Sequence, residues 1–315
     1  MKNIVACIIT TVSVGVMSYA NALSVSLNDY NLIVENDYTH AGGSVYGKAL
    51  IGGNLQGGSP AEFASRVDSD LDVDSLTVLG DIKNSVHVKT GNVVLGGSVT
   101  NGASVDLQNH SASIKTASSD DINAFNSAIT NLKDASSYYS SLSSNTSYTV
   151  TNHTNDWDFS YDGASDVAVF SGSAADIFKS NAQIRFDEIK AKTFILNISG
   201  TDVNIGNSGW NLPGFDLNGN NGLGASNILW NFYEAETLKL GASGFIGSVL
   251  AMNADVTLSS TLDGAIGAKS LWTNRQIHDY NFNPPVSPVP IPGSLLLFGS
   301  ALVVLGSFRR KFKRS

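Results

Sequence analysis

The chain has 315 residues, with 19 Lys and Arg against 27 Asp and Glu, one Cys and 30 Gly. Only 15% of residues are charged, and Gly, Ser, Asn and Thr supply much of the polarity, which is the composition of a secreted β-rich protein with many tight turns and not of a helical cytosolic enzyme. Lys2 and five basic residues near the C-terminal end account for six of the positive charges. The body between them therefore carries 13 basic against 27 acidic residues, a net charge of −14 that disfavours nucleic acid and anionic lipid as partners.

In chain order, Lys2, the apolar run Ile4 to Val16 and the small-residue site Ala20-Asn21-Ala22 predict a secretory signal peptide over residues 1–22, cleaved after Ala22. Cys7 lies inside that run, so the mature chain has no cysteine from which to form a disulfide. Stability must then come from a long core, from backbone hydrogen-bond ladders, or from ions.

Residues 23–283 form the exported body. Up to His110, short β-type runs are separated by glycine pairs and Asn/Asp-Gly turns: the stretch Val45 to Leu55, with Gly52-Gly53, is echoed by Gly91 to Val99, with Gly96-Gly97. Strands this short, broken wherever the backbone must turn, predict a β-solenoid whose coils bury their apolar faces by stacking. Ile122, Phe125, Ile129, Leu132, Tyr139 and Leu142 then recur at helical spacing behind a Ser118/Asp121 capping box. This predicts one amphipathic helix over about residues 119–143, packed on the flank of the β-structure. Strands resume at Val167 to Phe170 and continue to Trp272, with Gly247 to Ala251 and Gly264 to Ala268 one coil apart. The predicted class is mainly β: a right-handed β-solenoid with one long helix alongside, with a β-sandwich as the alternative.

Residues 284–292 are a proline-punctuated linker, and residues 293–315 are an uncharged apolar segment ending in the cluster Arg309 to Arg314. Apolar residues followed at once by a cationic cluster predict a short transmembrane anchor with its tail on the cytoplasmic side.

Two segments carry family resemblances. Val289-Pro290-Ile291-Pro292, then Leu297-Phe298-Gly299-Ser300 and the basic end with Arg309, Arg310 and Lys311, resembles a PEP-CTERM sorting domain of the Val-Pro-Leu-Pro type. The resemblance implies a Gram-negative bacterium that makes extracellular polysaccharide, an exosortase or related enzyme that processes the tail, and a membrane-anchored precursor. Tyr30 to Val34, Gly47 to Leu55, the helix, Ile228 to Phe232, the Gly247 and Gly264 repeats and Gln276 to Phe282 together resemble the choice-of-anchor A family of bacterial surface proteins. That family supplies no catalytic residues to carry over. The order of β-coils, helix and β-coils is also similar in architecture to the ice-binding β-solenoid fold.

The sharpest polar constellation is Asp68, Asp70, Asp72 and Asp74, which in a strand share one face and offer Ca²⁺ hard oxygen ligands. The glycine and terminal Glu of an EF-hand are missing, and a solvated acidic strand is the preferred reading. Asn218 to Gly222 reads as a turn. His40, His87, His110, His153 and His278 are dispersed, and no metalloprotease, nucleophile-elbow or phosphate-loop motif occurs. Trp230 and Trp272, in apolar strands, read as core. Trp157 and Trp210, flanked by polar residues and Gly, read as surface platforms for sugar stacking.

These observations point to an exported, non-enzymatic, adhesive or structural protein of the cell surface or extracellular matrix, bound to exopolysaccharide or a surface ligand and needing no cofactor. A carbohydrate-active β-helix enzyme, a lyase or a glycosidase, is the alternative from another class. An ice-binding-like protein is the lesser alternative, because no ladder of alternating Thr is present.

Overall fold

The computed structural model describes residues 27–283 apart from 69–71, 110, 152–155, 180–181, 207–208, 211–214, 221 and 242–243. The signal peptide with Ala20 and Ala22, the linker, and the sorting segment with Val289, Pro290, Ile291, Pro292, Arg309, Arg310 and Lys311 lie outside the described residues. Among those described, no helix is long and apolar enough to cross a membrane.

Runs of two to five residues, each cut off by a turn, cannot close a sheet by themselves. They wind instead into coils with one strand on each of three sides. Leu32–Val34, Tyr38–His40 and Ser44–Val45 make one coil, and Ala49–Ile51, Leu55–Gly57 and Ala61–Phe63 make the next. Each strand pairs in parallel with its counterpart: Leu32 faces Ala49, Tyr38 faces Leu55 and Val45 faces Phe63. The stacked coils form three walls, the first two within one sheet of 14 strands and the third a sheet of seven. The architecture is β-helix-like, as the sequence predicts. The β-sandwich alternative is corrected, because the strands of all three walls pair in parallel.

Chain order and stacking order differ. The coils that begin at Leu32 proceed outward to Ile114–Thr116 at one end of the stack, whereas those that begin at Val167–Ser173 start at the other end and return to the middle. There Ile266, Gly267 and Ala268 pair in parallel with Leu32, Ile33 and Val34, so the first strand of the body lies between Ala49–Ile51 and Ile266–Thr273. A side chain seals this junction. Buried Asn31 accepts from the Gly47 amide at 3.1 Å and donates Nδ2 to the carbonyls of Gly264 (2.9 Å) and His278 (3.0 Å), pairing backbone groups from both halves of the chain.

The coil period is 17 residues where it is regular, from Leu32 to Ala49 and from Leu76 to Val93. Ala49 pairs with Leu76, a longer step, and the excess holds the acidic run. Stacked glycines let the corners approach: a Cβ on Gly80 would sit 2.5 Å from the Gly53 carbonyl oxygen, and one on Gly97 would sit 2.5 Å from that of Gly80.

Helix α1 (Ser119–Ser140) connects the two ends along the first wall. Its start is capped as predicted: the Asp121 amide donates to Ser118 Oγ at 3.2 Å and the Ser118 amide donates to Asp121 Oδ2 at 2.8 Å. The Ser118 hydroxyl, which donates to Asp121 Oδ2 at 2.6 Å, and after it the Ser118 amide hold the Asp121 carboxyl below the usual carboxylate range. Phe125, Ile129, Leu132, Ala135 and Tyr139 are buried against Ile33, Leu50, Ile195, Leu229, Leu250 and Met252 of the wall. Ile122, read as part of this stripe, is instead 43% exposed, and the stripe begins one turn later. Phe125 comes so close to the wall that a Cβ on Gly52 would lie 2.4 Å from its ring.

Two amides fix the helix in register. Asn231 Nδ2 donates to the Ser136 carbonyl (2.8 Å) and to Asn197 Oδ1 (2.9 Å), while Asn197 Nδ2 donates to the Tyr139 carbonyl (2.7 Å). Ser136 Oγ donates back to Asn231 Oδ1 at 2.6 Å. The second apolar cluster lies inside the coils and includes Val34, Phe63, Leu76, Phe194, Trp230 and Leu258.

Truncating the helix stripe tests this arrangement. Leu132→Ala should cost about 2–5 kcal/mol by loss of buried area and formation of a cavity, whereas Ile122→Ala should stay within about 0.5 kcal/mol. Denaturant unfolding of both variants checks it, and equal effects would contradict the packing described.

Candidate functional site

Along the strands of the second wall the residues alternate between core and surface. On the second wall the inward positions Val203, Leu238, Val256, Leu271, Tyr38 and Leu55 are buried. The parallel register leaves their neighbours as one outward row: Asn204, Lys239, Thr257, Trp272, Thr39 and Gln56. With strands about 4.8 Å apart the row is about 24 Å long. Trp272 stands near its middle, 36% exposed, between Thr257 and Thr39. Gln56 Nε2 donates to Thr39 Oγ1 at 3.3 Å, which fixes one end.

At the adjoining corner a second row is consumed by the fold. The Asn54 amide donates to Asp37 Oδ1 (2.7 Å), the Asp81 amide to Asn54 Oδ1 (3.0 Å) and the Ser98 amide to Asp81 Oδ1 (2.9 Å). Each short polar side chain thus takes an N–H that the bend removes from the strand ladder. Further along, Ser270 Oγ donates to Asp255 Oδ1 at 2.7 Å.

The third wall carries paired charges. His87 meets Asp106 at 2.9 Å, Lys89 meets Glu62 at 3.0 Å, and His278 Nδ1 meets Asp263 at 2.6 Å with its ring 4.7 Å from that of Tyr46. The polar groups of this wall are paired with one another, whereas the Trp272 row presents an aromatic face, hydroxyls, amides and one ammonium group to solvent.

The residues selected from sequence fall differently. Trp157, expected at the surface, is 7% exposed: it lies beside Tyr148, Phe159 and Phe170, with ring centroids 4.7, 6.0 and 6.2 Å away. Alternation along Asp156–Tyr161 turns it inward with Phe159, which flanking polar residues could not reveal. Trp210 belongs to the strand Gly209–Trp210 beside Gln183–Ile189. Trp230 is core, as read, with Nε1 donating to the Ile246 carbonyl at 2.9 Å. Trp272, read as core, is exposed. Its strand neighbours Leu271 and Thr273 are buried and Trp272 is not, so period-two alternation was the available signal.

Among the described residues the acidic run does not share one strand face. The strand begins only at Asp74, with Asp68 and Asp72 before it, and Asp70 lies outside the described residues. Lys115 occupies the position between the carboxylates, 2.8 Å from Asp74 and 4.0 Å from Asp72, and Asn92 Nδ2 donates to Asp72 at 2.6 Å. Among the described residues no group of three or more His, Cys, Asp or Glu is arranged to hold a metal ion. The described residues of the Asn218 to Gly222 segment turn about Asp216, which accepts from the amides of Asn218 (3.0 Å) and Asn220 (2.8 Å).

A family model described as "Putative Ice-binding-like adhesive domain" matches residues 24–279. The chain belongs to this family. No curated protein matches. Similar solved structures include an ice-binding protein from an Antarctic biological consortium, 14% identical over 80% of this chain and 88% of that one, with a TM-score of 0.37. Others are ice-binding protein 1 of Shewanella frigidimarina (13%, 80% and 94%, TM-score 0.39) and an ice-binding protein from an Arctic yeast (13%, 85% and 96%, TM-score 0.35).

Two measurements check the chemistry of these surfaces. With Lys115 between Asp72 and Asp74, 1 mM Ca²⁺ should raise stability by no more than about 0.4 kcal/mol, the mass-action limit for a site no tighter than millimolar. A melting comparison against chelator reads this directly. The second concerns buried His40, whose Nδ1 accepts from the Gly42 amide at 3.3 Å while Nε2 donates to the Gly43 carbonyl at 3.2 Å, an arrangement of the neutral ring. Burial lowers its pKa below the ordinary 6.5. The unfolded chain therefore binds the proton first, so stability should be full above pH 6.5 and fall as pH drops below it toward the lowered folded value. A His40→Gln variant should flatten that slope in thermal melts taken across the window.

Proposed function

We propose that this protein is an exported, non-enzymatic adhesin of the cell surface or extracellular matrix that holds exopolysaccharide on the Trp272 row. The observation that carries the reading is an aromatic face set in a straight row of hydroxyl and amide side chains, on a wall of a domain whose family is named for adhesion. An indole offers an apolar face to the C–H side of a sugar ring, and Thr39, Thr257, Gln56 and Asn204 supply donors and acceptors on either side. The net charge of the body argues against nucleic acid. In this reading the coils wind right-handedly, the chain is a choice-of-anchor A type surface protein of a Gram-negative bacterium, and its Val289 to Pro292 segment with the basic tail is a PEP-CTERM type signal for an exosortase. That signal also tethers the precursor to the inner membrane.

The family description favours ice as a second ligand. Thr39 and Thr257 flank Trp272 on the same flat wall, although Lys239 and Gln56 interrupt any uniform ladder.

Co-sedimentation of the protein with its host's exopolysaccharide tests the first reading. Retention without new reducing ends or unsaturated sugars is expected, and Trp272→Ala should weaken retention about tenfold, or ~1.4 kcal/mol, with the melting temperature unchanged. Depolymerisation would favour the carbohydrate-active enzyme. Freezing-point hysteresis abolished by Trp272→Ala, without retention of polysaccharide, would favour ice.

A further inference from the structure

A separate cleft lies on the four-stranded sheet Ser147–Val150, Asp156–Tyr161, Gln183–Ile189 and Gly209–Trp210, at some remove in sequence from the Trp272 row. It encloses about 620 Å³, within the range of small-molecule sites. Its floor is a row of residues paired across three strands: Ser147 faces Ser160, and Ser160 faces Glu188. That row exists because of a bulge. Asp158 pairs with Arg185, so an unbroken register would set Asp187 against Ser160, but one extra residue brings Glu188 there. Bulges of this kind re-aim a side chain and are enriched beside functional sites.

The rim is fixed before any ligand arrives. Asn145 accepts from the Val169 amide at 2.7 Å and donates to the Val167 carbonyl at 3.1 Å, and the Ser165 amide donates to the Tyr161 hydroxyl at 3.1 Å. The bond to Tyr161 folds the turn with Asp162 and Gly163 over the phenol, where a Cβ on Gly163 would stand 2.5 Å from the hydroxyl oxygen. Such pre-ordering reduces the entropy lost on binding.

The polar groups of the cleft differ from their neighbours on the same sheet. One step away, Arg185 is neutralised by Asp158 at 3.1 Å and Asp156 at 3.9 Å. In the cleft the side chains of Ser147, Ser160, Asp162, Glu188 and Lys190 make no hydrogen bond or ion pair among the described residues. Two carboxylates, two hydroxyls and one ammonium thus converge with their bonding capacity unspent. A ligand that satisfies them must present many hydroxyls, donating to the carboxylates and accepting from Lys190. Because acid exceeds base, it should be neutral or cationic.

We propose that this cleft is a saccharide subsite selective for a neutral or amino sugar over a uronic acid. It does not depend on the Trp272 row. Titrating the protein at pH 7 and low salt with three β-1,4-linked disaccharides, of glucosamine, glucose and glucuronic acid, tests it by calorimetry or ligand-observed magnetic resonance. Saturable binding of the first two is expected, at least about tenfold tighter than the third. Glu188→Gln should weaken the glucosamine disaccharide about fivefold or more, Asp162→Asn should act in the same direction, and both should leave melting unchanged. Trp272→Ala should leave these affinities as they are, which separates this site from the polysaccharide-binding row. Absence of saturable binding, equal or tighter binding of the glucuronic acid disaccharide, or affinities unmoved by both cleft variants would overturn the proposal.

Discussion

Everything in this molecule depends on one parallel pairing, between Leu32–Val34 near the start of the body and Ile266–Ala268 near its end. A coil cannot bury its apolar edge until another stacks on it, and here neither half of the chain supplies that neighbour for its innermost coil. The two halves complete each other. Asn31 sits at the seam with no exposure, its amide shared among Gly47, Gly264 and His278, so the junction pairs backbone groups that would otherwise be orphaned in the core. Contacts spanning more than two hundred residues must form for this to happen, which implies slow, topology-limited folding.

The helix follows from the same constraint. A chain that reaches one end of the stack at Ile114–Thr116 and resumes at the other end must travel back along a wall, and 22 helical residues at about 1.5 Å each cover about 33 Å. Its apolar stripe makes that wall a second core, and Asn197 and Asn231 decide where along the wall it rests. Such an amide seam contributes little by burial alone. Any slip in register would leave its donors unpaired in an apolar setting, so it selects a single position.

With one wall covered by α1, recognition falls to the others and to the four-stranded sheet. Stacked coils repeat any outward side chain at the strand spacing, so a surface built this way is a straight row and not a pocket. Rows suit extended or periodic targets, which is consistent with an adhesive domain. The third wall has paired its polar side chains with one another and the corner has spent its Asp and Asn side chains on backbone amides, which leaves the Trp272 row and the Glu188 cleft with polar capacity directed outward.

How much of this could be read in advance depended on the range of the signal. Glycine pairs at the coil period, the 3.6-residue stripe from Phe125 to Tyr139 and the Ser118 cap are local or periodic, and they determined the stacked coils and the one long helix from the sequence alone. Orientation at single positions was less secure. Trp157 and Trp272 exchanged places because polar flanks and apolar flanks say little about which face of a strand a residue occupies, while burial of the residues on either side says everything. The cation beside the acidic run was not legible either, because Lys115, 41 residues beyond Asp74, arrives only when the coils stack. The same holds for the Asn31 seam, the Asn197–Asn231 seat of the helix and the bulge that brings Glu188 opposite Ser160. Sequence by itself determined which elements form, since propensity and periodicity act over a few residues. Tertiary structure decided their order in the stack and the groups that meet across it, because those choices rest on pairing backbone and polar groups far apart in the chain.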